Sequence, residues 1–490
     1  MTEREQPRTG MSATIGCQLV VLLSAYFMAQ FDFFVVNVAA PSFERSLRAG
    51  PVALELIIGG YAFAYAAGMI TAGRLGDMLG HRRMFIAGVL GFTVASLLCG
   101  LAQNPAELVT ARLLQGLAGA VMVPQVLGTI TAAFPRQDRP RAIAWFGVTG
   151  GVASVAGQVF GGWLLSANVL GLGWRAIFLV NVPIGLLAAV AARRFLAPRA
   201  ARPGAPGSRL DLPGAAGVTA ALALVLVPLA LGRTASWPAW TWACMACGLA
   251  AAALTGYWQR TLRRRGGQPI LETALFGVPT YAAGTAASVA FLAYFASFMF
   301  TLTLLLQGGF GLTPFRAGLA FAPMGVTFSV AALLGRPLVA RYGRRIIGLG
   351  CAIAAAGLIM LTVHPGLALV IVAAGTVGAG NGLVLPQLNG TALTQVNPRQ
   401  AGVGSGMLTT AQQFAGSAGV TIIGTVFFSV LGAGDYAGAA RVTAIIYLVL
   451  TAIVAALVAL IAVRDREAPA HRAVHPGHPA SVGPRPLADR

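Results

Sequence analysis

Two similar stretches, GRLGDMLGHRR at Gly73–Arg83 and GRPLVARYGRR at Gly335–Arg345, decide the fold. Each stretch closes a long apolar run and leads directly into the next run. Along the chain, the two stretches follow the second and the tenth apolar run. These positions indicate two parallel repeats of six spans, with two further spans between them.

The composition places these runs in a membrane. Of the 490 residues, 57% are hydrophobic and only 10% are charged, which is far from the average of a soluble protein. Because a helix needs roughly 20 apolar residues to cross a bilayer, the apolar content corresponds to about fourteen spans. We therefore predict an all-α polytopic membrane protein with two six-helix bundles plus two inserted helices, and we exclude a soluble enzyme.

The apolar runs divide the chain into fourteen spans and six regions. The spans are predicted at 18–40, 52–72, 84–103, 108–132, 142–165, 176–196, 212–232, 240–260, 281–306, 317–339, 346–363, 366–388, 402–431 and 441–463. The regions are a cytoplasmic N-terminus at 1–17, an N-terminal six-helix bundle at 18–196, a cytoplasmic linker at 197–211, inserted helices 7 and 8 at 212–260, a C-terminal six-helix bundle at 261–463 and a disordered cytoplasmic tail at 464–490. The inserted helices are nearly free of charge, so we expect a peripheral structural pair.

The distribution of Arg sets the predicted orientation. All 34 basic residues are Arg, and 27 of them fall in the two tails and in the loops on one side. Because positive residues concentrate in cytoplasmic loops, we expect both termini in the cytoplasm and the protein in the cytoplasmic membrane. The net charge of +20 would suggest a nucleic-acid partner in a soluble protein, but this topology explains it and no nucleic acid is expected.

Two further chemistries find no support in the sequence. The chain contains neither Lys nor the motif GxxxxGK[ST], which argues against an ATP-driven pump. The five His form no HExxH motif and no pair within a span, and the CxxC at Cys244 and Cys247 lacks further ligands. We therefore predict no metal site.

Asp32 is the acid that the spans place deepest in the membrane. It lies roughly 13 Å below the outer end of span 1, at 1.5 Å per residue. A carboxylate at such a depth is unfavourable unless it faces water or a partner. Arg112 in span 4 is the cation at comparable depth, so we expect the two side chains to face one cavity. Four other acids are expected near the outer surface, namely Glu44, Glu55, Glu107 and Asp435.

The pair suggests proton coupling. Burial and a neighbouring guanidinium act on a carboxyl group in opposite senses, so Asp32 can bind and release a proton as its exposure changes. We predict that Asp32 takes a proton from outside and releases it inside, with Arg112 as its partner, while substrate moves outwards. The proton gradient then supplies the energy and no cofactor is expected. The alternative is an ion pair that only holds helices together.

Other polar and small residues within the spans suggest a cavity and a hinge. The predicted substrate cavity is lined by Gln30, Asn37, Gln115, Gln125, Gln158, Gln387 and Gln412. For each of these residues alone, an interhelical hydrogen bond is the alternative role. Glycines in span 5 have the spacing that lets another helix approach closely, which predicts a helix-packing hinge at Gly147, Gly151, Gly157, Gly161 and Gly162.

These motifs resemble the fourteen-span drug:proton antiporters of the major facilitator superfamily. Gly73–Arg83 is similar to the superfamily's loop signature between spans 2 and 3. RLLQGLAGA at Arg112–Ala120 resembles the exporter signature of span 4, and DFFVVNVAAP at Asp32–Pro41 resembles the span 1 signature of this branch. WRAIFLVNVPIG at Trp174–Gly185 also looks typical of the branch, and the resemblance covers most of the chain.

The resemblance implies roles for individual residues. It implies a conformational latch formed by Gly73, Gly76, Asp77, Gly80, Arg82 and Arg83. It implies that Arg112 takes part in proton transfer. Span 5 resembles the antiporter signature that ends in GPxxGG, with Gln158 in place of the usual Pro, which puts a Pro-dependent bend in doubt. Relatives that export divalent organic cations use a second acid in span 10, and 317–339 contains none. The expected substrates are therefore monocationic, zwitterionic or neutral lipophilic compounds, above all antibiotics.

The function predicted from sequence is export of antibiotics or other lipophilic drugs by a monomeric, proton-coupled antiporter that works by alternating access. Its expected partners are a small lipophilic substrate, protons and membrane lipid. Two alternatives remain open: an exporter of an endogenous metabolite or lipid, and a non-transporting membrane sensor or scaffold. A membrane-embedded enzyme would need nucleophiles, bases or metal ligands clustered at one depth, so we predict that the protein is not an enzyme.

Overall fold

The computed structural model describes residues 13–135, 137–196, 211–232, 237–267, 269, 271–363, 366–396, 401–432 and 434–472. Three predicted regions therefore lie partly outside the described residues: the N-terminus at 1–12, the linker at 197–210 and the tail from 473. The side chain of the predicted latch residue Asp77 also lies outside them, although its backbone is helical.

Fourteen long helices make up the described chain, when the consecutive helical segments of the sixth span are counted as one. They are α1 (Ala13–Leu47), α2 (Pro51–Leu79), α3 (His81–Leu101), α4 (Pro105–Ala133), α5 (Arg139–Ala167), α6 (Gly173–Phe195), α7 (Leu212–Gly232), α8 (Ala239–Arg264), α9 (Pro279–Leu304), α10 (Pro314–Tyr342), α11 (Arg345–Thr362), α12 (Leu367–Leu393), α13 (Ala401–Leu431) and α14 (Tyr436–Arg472). Thirteen of the described helices have the length and hydropathy to cross a membrane. The remaining one, α7, has 21 residues and a length of about 31 Å. The predicted all-helical polytopic architecture is confirmed.

Several helices are longer than the spans predicted from hydropathy. α1 continues to Leu47, and α14 continues to Arg472. The start of the tail at 464–472, which was expected to be disordered, is therefore helical. A helix satisfies its backbone hydrogen bonds internally, so it does not have to end where the apolar residues end.

The two repeated stretches form the same kind of sharp turn. Gly80, between α2 and α3, has a φ of 94°, and Gly343, between α10 and α11, has a φ of 61°. Both values lie in the left-handed region, which glycine adopts at little cost. The sequence repeat therefore corresponds to a structural repeat of helix, turn and helix in the two halves.

The helices pack as two groups of six. Helices α1–α6 contact each other, and helices α9–α14 do the same. The inserted helices α7 and α8 form a pair, and α7 also packs on α2 and α13. Asp211, directly before α7, accepts hydrogen bonds from the Trp258 indole (2.9 Å) and the Gln259 amide (2.6 Å) of α8. The inserted pair thus has its own polar attachment and lies beside the contact between α2 and α13.

Two seams join the groups of six, one between α5 and α10 and one between α2 and α13. At the first seam, a Cβ on Gly162 would collide with the Pro314 carbonyl, and a Cβ on Gly318 would collide with the Gln158 carbonyl. Two backbones can therefore approach this closely only because both positions are glycine.

The Arg74 guanidinium of α2 donates to the carbonyl of Pro269, ahead of α9, on the face of the chain termini. Four other hydrogen bonds between the two halves lie on the opposite face. They are the hydrogen bonds from the Phe315 amide to Ser166 Oγ (3.0 Å), from Gln307 to the Val38 carbonyl (2.7 Å), from Ser417 to the Gly59 carbonyl (2.8 Å) and from Thr425 to Glu55 (3.4 Å). All four lie on the face of the membrane opposite the chain termini. Helices α2 and α10 begin on that face, and helices α1, α5, α9 and α13 end there. These contacts close the molecule on the face opposite the termini.

Candidate functional site

A buried ion pair lies inside the N-terminal group of helices. Asp32 of α1 is 0% exposed and Arg112 of α4 is 1% exposed. The Arg112 guanidinium donates a hydrogen bond from Nη1 to Oδ2 of Asp32. The structure thus brings together the two residues that the sequence placed at comparable depth.

Two amide side chains complete the surroundings of the Asp32 carboxylate. Gln115, one turn from Arg112, donates to Asp32 Oδ1 (2.8 Å) and to the Ser96 hydroxyl (2.8 Å). Asn181 of α6 also donates to Asp32 Oδ1, at 3.1 Å. Gln115 in turn accepts a hydrogen bond from Arg112 (2.6 Å). Hydrogen bonds to charged groups are stronger than those between neutral groups, so this network favours an ionised Asp32 next to Arg112.

Arg112 has partners besides Asp32. Its Nε donates to the Ile57 carbonyl of α2 (3.1 Å), and its guanidinium carbon lies 4.3 Å from the centre of the Tyr61 ring. The first turn of α4 fixes the depth of Arg112, because Asn104 caps the helix by accepting from the Glu107 amide (2.9 Å). One guanidinium therefore connects α1, α2 and α4.

A single proton on Asp32 would change the charge balance of this arrangement. A carboxylate and a guanidinium in an apolar interior compensate each other's charge, and removal of one charge leaves the other buried without compensation. Protonation of Asp32 would cancel its charge while Arg112 kept its contacts to Ile57 and Tyr61. The geometry can thus convert the gain or loss of a proton into a change in the packing of α1 against α4.

The predicted hinge glycines of α5 have different neighbours. A Cβ on Gly157 would lie 2.8 Å from Cβ of Phe34 in α1, and a Cβ on Gly161 would collide with Val35 of the same helix. Gly162 faces α10, and a Cβ on Gly151 would lie 3.7 Å from Ser329 of α10. A Cβ on Gly147 would have no neighbour within 4 Å among the described residues. Close approach of helices therefore accounts for the glycines of the second half of α5 and not for Gly147.

Gln125 lies beside the predicted latch, at the turn between α2 and α3. Gln125 of α4 donates to the Ala72 carbonyl (2.9 Å), and its Oε1 lies 2.9 Å from Nδ1 of His81. A Cβ on Gly76 would collide with this amide. In this conformation Gln125 makes these contacts, and its role in a substrate cavity stays a prediction. Its side chain fills the space that Gly76 leaves and ties α4 to the turn between α2 and α3.

The other latch residues surround the same turn. Arg82 donates to the Arg193 carbonyl at the end of α6 (2.7 Å), and Gly80 supplies the left-handed turn. Arg83 is exposed, and a Cβ on Gly73 would have no neighbour within 4 Å among the described residues. The predicted latch residues and their contacts therefore link α2, α3, α4 and α6 within one half.

Most of the predicted cavity residues form separate helix contacts. Asn37 donates to the Phe33 carbonyl (3.3 Å) and Gln158 donates to the Phe34 carbonyl (3.4 Å). Gln412 of α13 donates to Asn389 of α12 (2.7 Å). The two half-buried residues are Gln30 and Gln387, of which Gln387 lies next to Gly335. In this conformation the alternative role, an interhelical or local hydrogen bond, describes Asn37, Gln158 and Gln412 better than a shared cavity does.

An open cavity of about 710 Å³ lies away from all predicted site residues. It lies at the end of α8, and its lining includes Arg260, Arg263, Arg264, Thr273, Phe276 and Gly277. Arg263 pairs with Glu272 at 2.7 Å. This cavity has no contact with the Asp32 network.

A second polar cluster, which was not predicted from the sequence, lies in the C-terminal group of helices. The Asn381 amide of α12 donates to the Tyr294 hydroxyl of α9 (2.9 Å), and the rings of Tyr294 and Tyr447 lie 5.5 Å apart. The Tyr447 hydroxyl of α14 lies 2.8 Å from the Thr301 hydroxyl of α9. The signal that could have revealed it is Asn381, an amide at the centre of span 12.

Glu55 lies near the start of α2, on the face opposite the chain termini, where the sequence predicts it. Its side chain is nevertheless only 1% exposed. Helix α13 of the other half covers it, and its Oε1 accepts the hydrogen bond from Thr425. The packing of two bundles against each other cannot be read from the depth of a residue in its own span.

Comparison with known proteins decides the family. The model of the Major Facilitator Superfamily matches residues 22–420. The chain belongs to the Major Facilitator Superfamily. The fold agrees, because the crystal structure of a bacterial homologue of the human lysosomal transporter Spinster, in an inward-facing and unoccupied conformation, superposes with a TM-score of 0.68 at 18% identity. That superposition covers 92% of this chain and 98% of that chain.

Curated relatives of this superfamily member carry names that refer to antibiotics. The probable actinorhodin transporter of Streptomyces coelicolor is 38% identical over 84% of this chain and 72% of the relative. The cephamycin export protein of Amycolatopsis lactamdurans is 34% identical over 86% of each chain. The tetracenomycin C resistance and export protein of Streptomyces glaucescens is 32% identical over 87% of this chain and 78% of the relative. The resemblance found in the sequence is confirmed: the chain is a multi-pass membrane transporter and not an enzyme.

Proposed function

We propose that the protein exports antibiotics or other lipophilic drugs across the cytoplasmic membrane in exchange for protons, by alternating access. The observation that carries the proposal is the buried pair of Asp32 and Arg112, with an exposure of 0% and 1%. A membrane protein that needs only a stable fold gains little from burying two charges, because apolar residues of similar volume fill the space at least as well. An ionisable residue inside the membrane is therefore a candidate for function first.

The proton and the substrate act on the same helices in this proposal. With Asp32 ionised, Arg112 holds α1, α2 and α4 together. When Asp32 binds a proton, its attraction for Arg112 falls, and the guanidinium retains the Ile57 carbonyl and the Tyr61 ring. A substrate that binds between the halves and a proton that binds Asp32 would then favour opposite conformations, which is the requirement for exchange.

The face on which the molecule is closed supports the proposed outward direction of substrate transport. Both termini are proposed to lie in the cytoplasm, since Arg concentrates on their side of the membrane. The hydrogen bonds across the seams then close the molecule towards the outside, in the state that admits substrate from the cytoplasm or the inner leaflet. Separation of α5 from α10 and of α2 from α13 would produce the state that releases it.

The substrate class follows from the relatives and from α10. The names of the relatives refer to actinorhodin, cephamycin and tetracenomycin C. The span 317–339 contains no acid that could pair with a second positive charge. Monocationic, zwitterionic and neutral lipophilic antibiotics are therefore the proposed substrates.

Collapse of a preset pH gradient in inside-out vesicles tests this proposal. A panel of antibiotics is added to vesicles that contain the wild-type protein, Asp32→Asn or no protein. Exchange predicts that a substrate collapses the gradient in wild-type vesicles only. A response in Asp32→Asn vesicles equal to that of the wild type would assign the coupling proton to another residue, and labelled substrate that accumulates without any proton movement would exclude antiport.

A further inference from the structure

The open cavity at the end of α8 combines positive charge with an apolar wall. It has a volume of about 710 Å³ and lies between the last turn of α8 and the short 3₁₀ helix Thr273–Gly277, which precedes α9. Its lining includes Arg260, Arg263 and Arg264 of α8 and the exposed Phe276 of the 3₁₀ helix. The cavity therefore suits a ligand that has an anionic part and an apolar part.

Two of the three guanidinium groups have no acidic partner in the described part of the chain. Arg263 forms an ion pair with Glu272, with 2.7 Å between Nη1 and Oε1. Arg260 and Arg264 are exposed and form no ion pair with any described residue. They lie one turn apart on α8, and like charges at this spacing repel each other. An anion in the cavity would relieve this repulsion.

The same two Arg residues continue an apolar stripe on the outer surface of α8. Leu249, Ala253 and Tyr257 precede Arg260 and Arg264 at steps of three or four residues, and all five are exposed. Residues at this spacing share one face of a helix. The apolar part from Leu249 to Tyr257 is about 12 Å long, close to the roughly 15 Å of hydrocarbon in one leaflet. The favourable interaction of a cation with a helix C-terminus does not explain this continuity.

Aromatic residues indicate the headgroup level at this end of α8. Tyr257 and Trp258 are exposed and directly precede the basic turn, and the Trp258 indole donates to Asp211 at the start of α7 (2.9 Å). Rings with one polar edge concentrate at the interface between membrane and water. Arg260 and Arg264 lie about 5–10 Å beyond Tyr257 along the helix, which places them at the level of the phosphates.

We propose that this cavity binds the phosphate of an anionic phospholipid from the leaflet on the side of the chain termini, with an acyl chain along the stripe from Leu249 to Tyr257. A guanidinium can donate to two phosphate oxygens at once. Basic pockets at this level of a membrane protein bind lipid headgroups. A zwitterionic phospholipid also carries a cation, which the Arg cluster would repel. The inference does not depend on proton exchange.

A bound lipid would strengthen the attachment of the inserted pair to the C-terminal half. Gln259, next to Arg260, accepts from the Leu271 amide ahead of α9 (2.9 Å) and donates to Asp211 (2.6 Å). A headgroup in the cavity lies between the same two parts of the chain and adds a further link. The lipid should therefore raise the midpoint of thermal unfolding, since a ligand that binds only the folded state stabilises it.

Binding of defined lipids to the purified full chain tests the inference. Native mass spectrometry measures the affinity for phosphatidylglycerol and for phosphatidylethanolamine with the same acyl chains. The wild type is compared with the double variant Arg260→Gln/Arg264→Gln. The matched control is Arg193→Gln/Arg194→Gln, which removes two exposed Arg from the last turn of α6 on the same face. Both double variants lose the same net charge.

The wild type and the control should bind phosphatidylglycerol more tightly than phosphatidylethanolamine. Removal of one Arg near an anionic headgroup lowers affinity by about fivefold, so the loss of Arg260 and Arg264 together should lower it by about 25-fold. The midpoint of unfolding without lipid should stay near that of the wild type, because both side chains are exposed. Equal affinity of the wild type for the two lipids, or an equal loss in both double variants, would overturn the inference.

Inorganic phosphate distinguishes a lipid from a soluble anion. Phosphatidylglycerol should raise the midpoint of unfolding of the wild type, and inorganic phosphate should not. Stabilisation by inorganic phosphate that equals the effect of the lipid and disappears in Arg260→Gln/Arg264→Gln would assign the cavity to a soluble anion, and the lipid assignment would be wrong.

Photolabelling of the wild type makes the test independent of how the variants fold. A phosphatidylglycerol with a photoreactive group near the start of one acyl chain is activated in lipid nanodiscs, and the labelled peptides are identified. The label should concentrate in 249–277, and an excess of unlabelled phosphatidylglycerol should remove it. A label spread evenly over the helix ends on this face would overturn the inference.

Discussion

The centres of the two six-helix groups occupy corresponding positions, but one contains charged side chains and the other contains neutral polar side chains. In the N-terminal group, the first, fourth and sixth helices contribute Asp32, Arg112 and Asn181. In the C-terminal group, the first, fourth and sixth helices contribute Tyr294, Asn381 and Tyr447. One centre holds two compensating charges and the other holds hydroxyl and amide groups that stay neutral.

This difference indicates that the two halves of one repeated architecture can depend on pH to different extents. A hydrogen-bonded cluster of neutral groups joins three helices without depending on pH in the physiological range. An ion pair joins three helices only while its acid is ionised. We infer that the N-terminal centre responds to protons, whereas the C-terminal centre gives its half a packing that does not change with proton binding.

The largest expected effect comes from breaking the charge compensation. Arg112→Gln leaves the Asp32 carboxylate buried without a cation, which costs about 3–5 kcal/mol of stability for a buried pair. Asp32→Asn combined with Arg112→Gln removes both charges and should recover much of this loss. Unfolding in denaturant, followed for the wild type, both single variants and the double variant, measures the coupling between the two residues.

Arg175→Gln is the control for the loss of a guanidinium in the same half. Arg175 is half-buried, donates to the Ala102 carbonyl (2.9 Å) and lies over the Trp174 ring. Its loss should cost about 1 kcal/mol, the usual value of one hydrogen bond. If Arg112→Gln were no more destabilising than Arg175→Gln, the pair would not hold the N-terminal centre together.

A smaller effect is expected at the neutral centre. Tyr294→Phe removes the hydroxyl that accepts from the buried Asn381 amide, and a buried donor without its partner costs about 1–3 kcal/mol. Substrate-driven proton movement should nevertheless persist, because no group that titrates near neutral pH has been removed. Thermal unfolding and the vesicle assay on one preparation check both statements. A variant that is stable but has lost proton movement would show that the C-terminal centre takes part in coupling.

The smallest effect is expected in the inserted pair, which belongs to neither centre. Asp211→Asn replaces the carboxylate that accepts from Trp258 and Gln259, and the weaker set of hydrogen bonds should cost about 1 kcal/mol. Transport should not change, since α7 and α8 lie beside the seam and not in it. Initial rates of substrate uptake into vesicles measure this, and a rate lowered more than the amount of folded protein would give the pair a part in transport.

Much of the fold and the core of the site could be predicted from the sequence. Hydropathy gives the number and order of the helices, and the repeat of Gly73–Arg83 at Gly335–Arg345 gives the two halves. The depth of Asp32 and Arg112 in their spans was sufficient to pair them, because two opposite charges at one depth of an apolar bundle have few other ways to be compensated.

The remaining features depend on information that a span does not contain. Depth says nothing about which side of a helix faces its neighbour, so it does not show that Gln125 fills the space beside Gly76. Tyr294 and Tyr447 are aromatic residues that an apolar span tolerates, so nothing marked them as a cluster. Glu55 is buried by the other half of the molecule, and one sequence does not show how two bundles pack together.

Proton release from the purified transporter tests the central claim most directly. Substrate is added to weakly buffered protein, and a pH indicator reports the protons released by the wild type, Asp32→Asn and Tyr294→Phe. Exchange through the N-terminal centre predicts release from the wild type and from Tyr294→Phe, and none from Asp32→Asn. Release from Asp32→Asn equal to that of the wild type, with substrate binding intact, would contradict the claim that Asp32 carries the coupling proton.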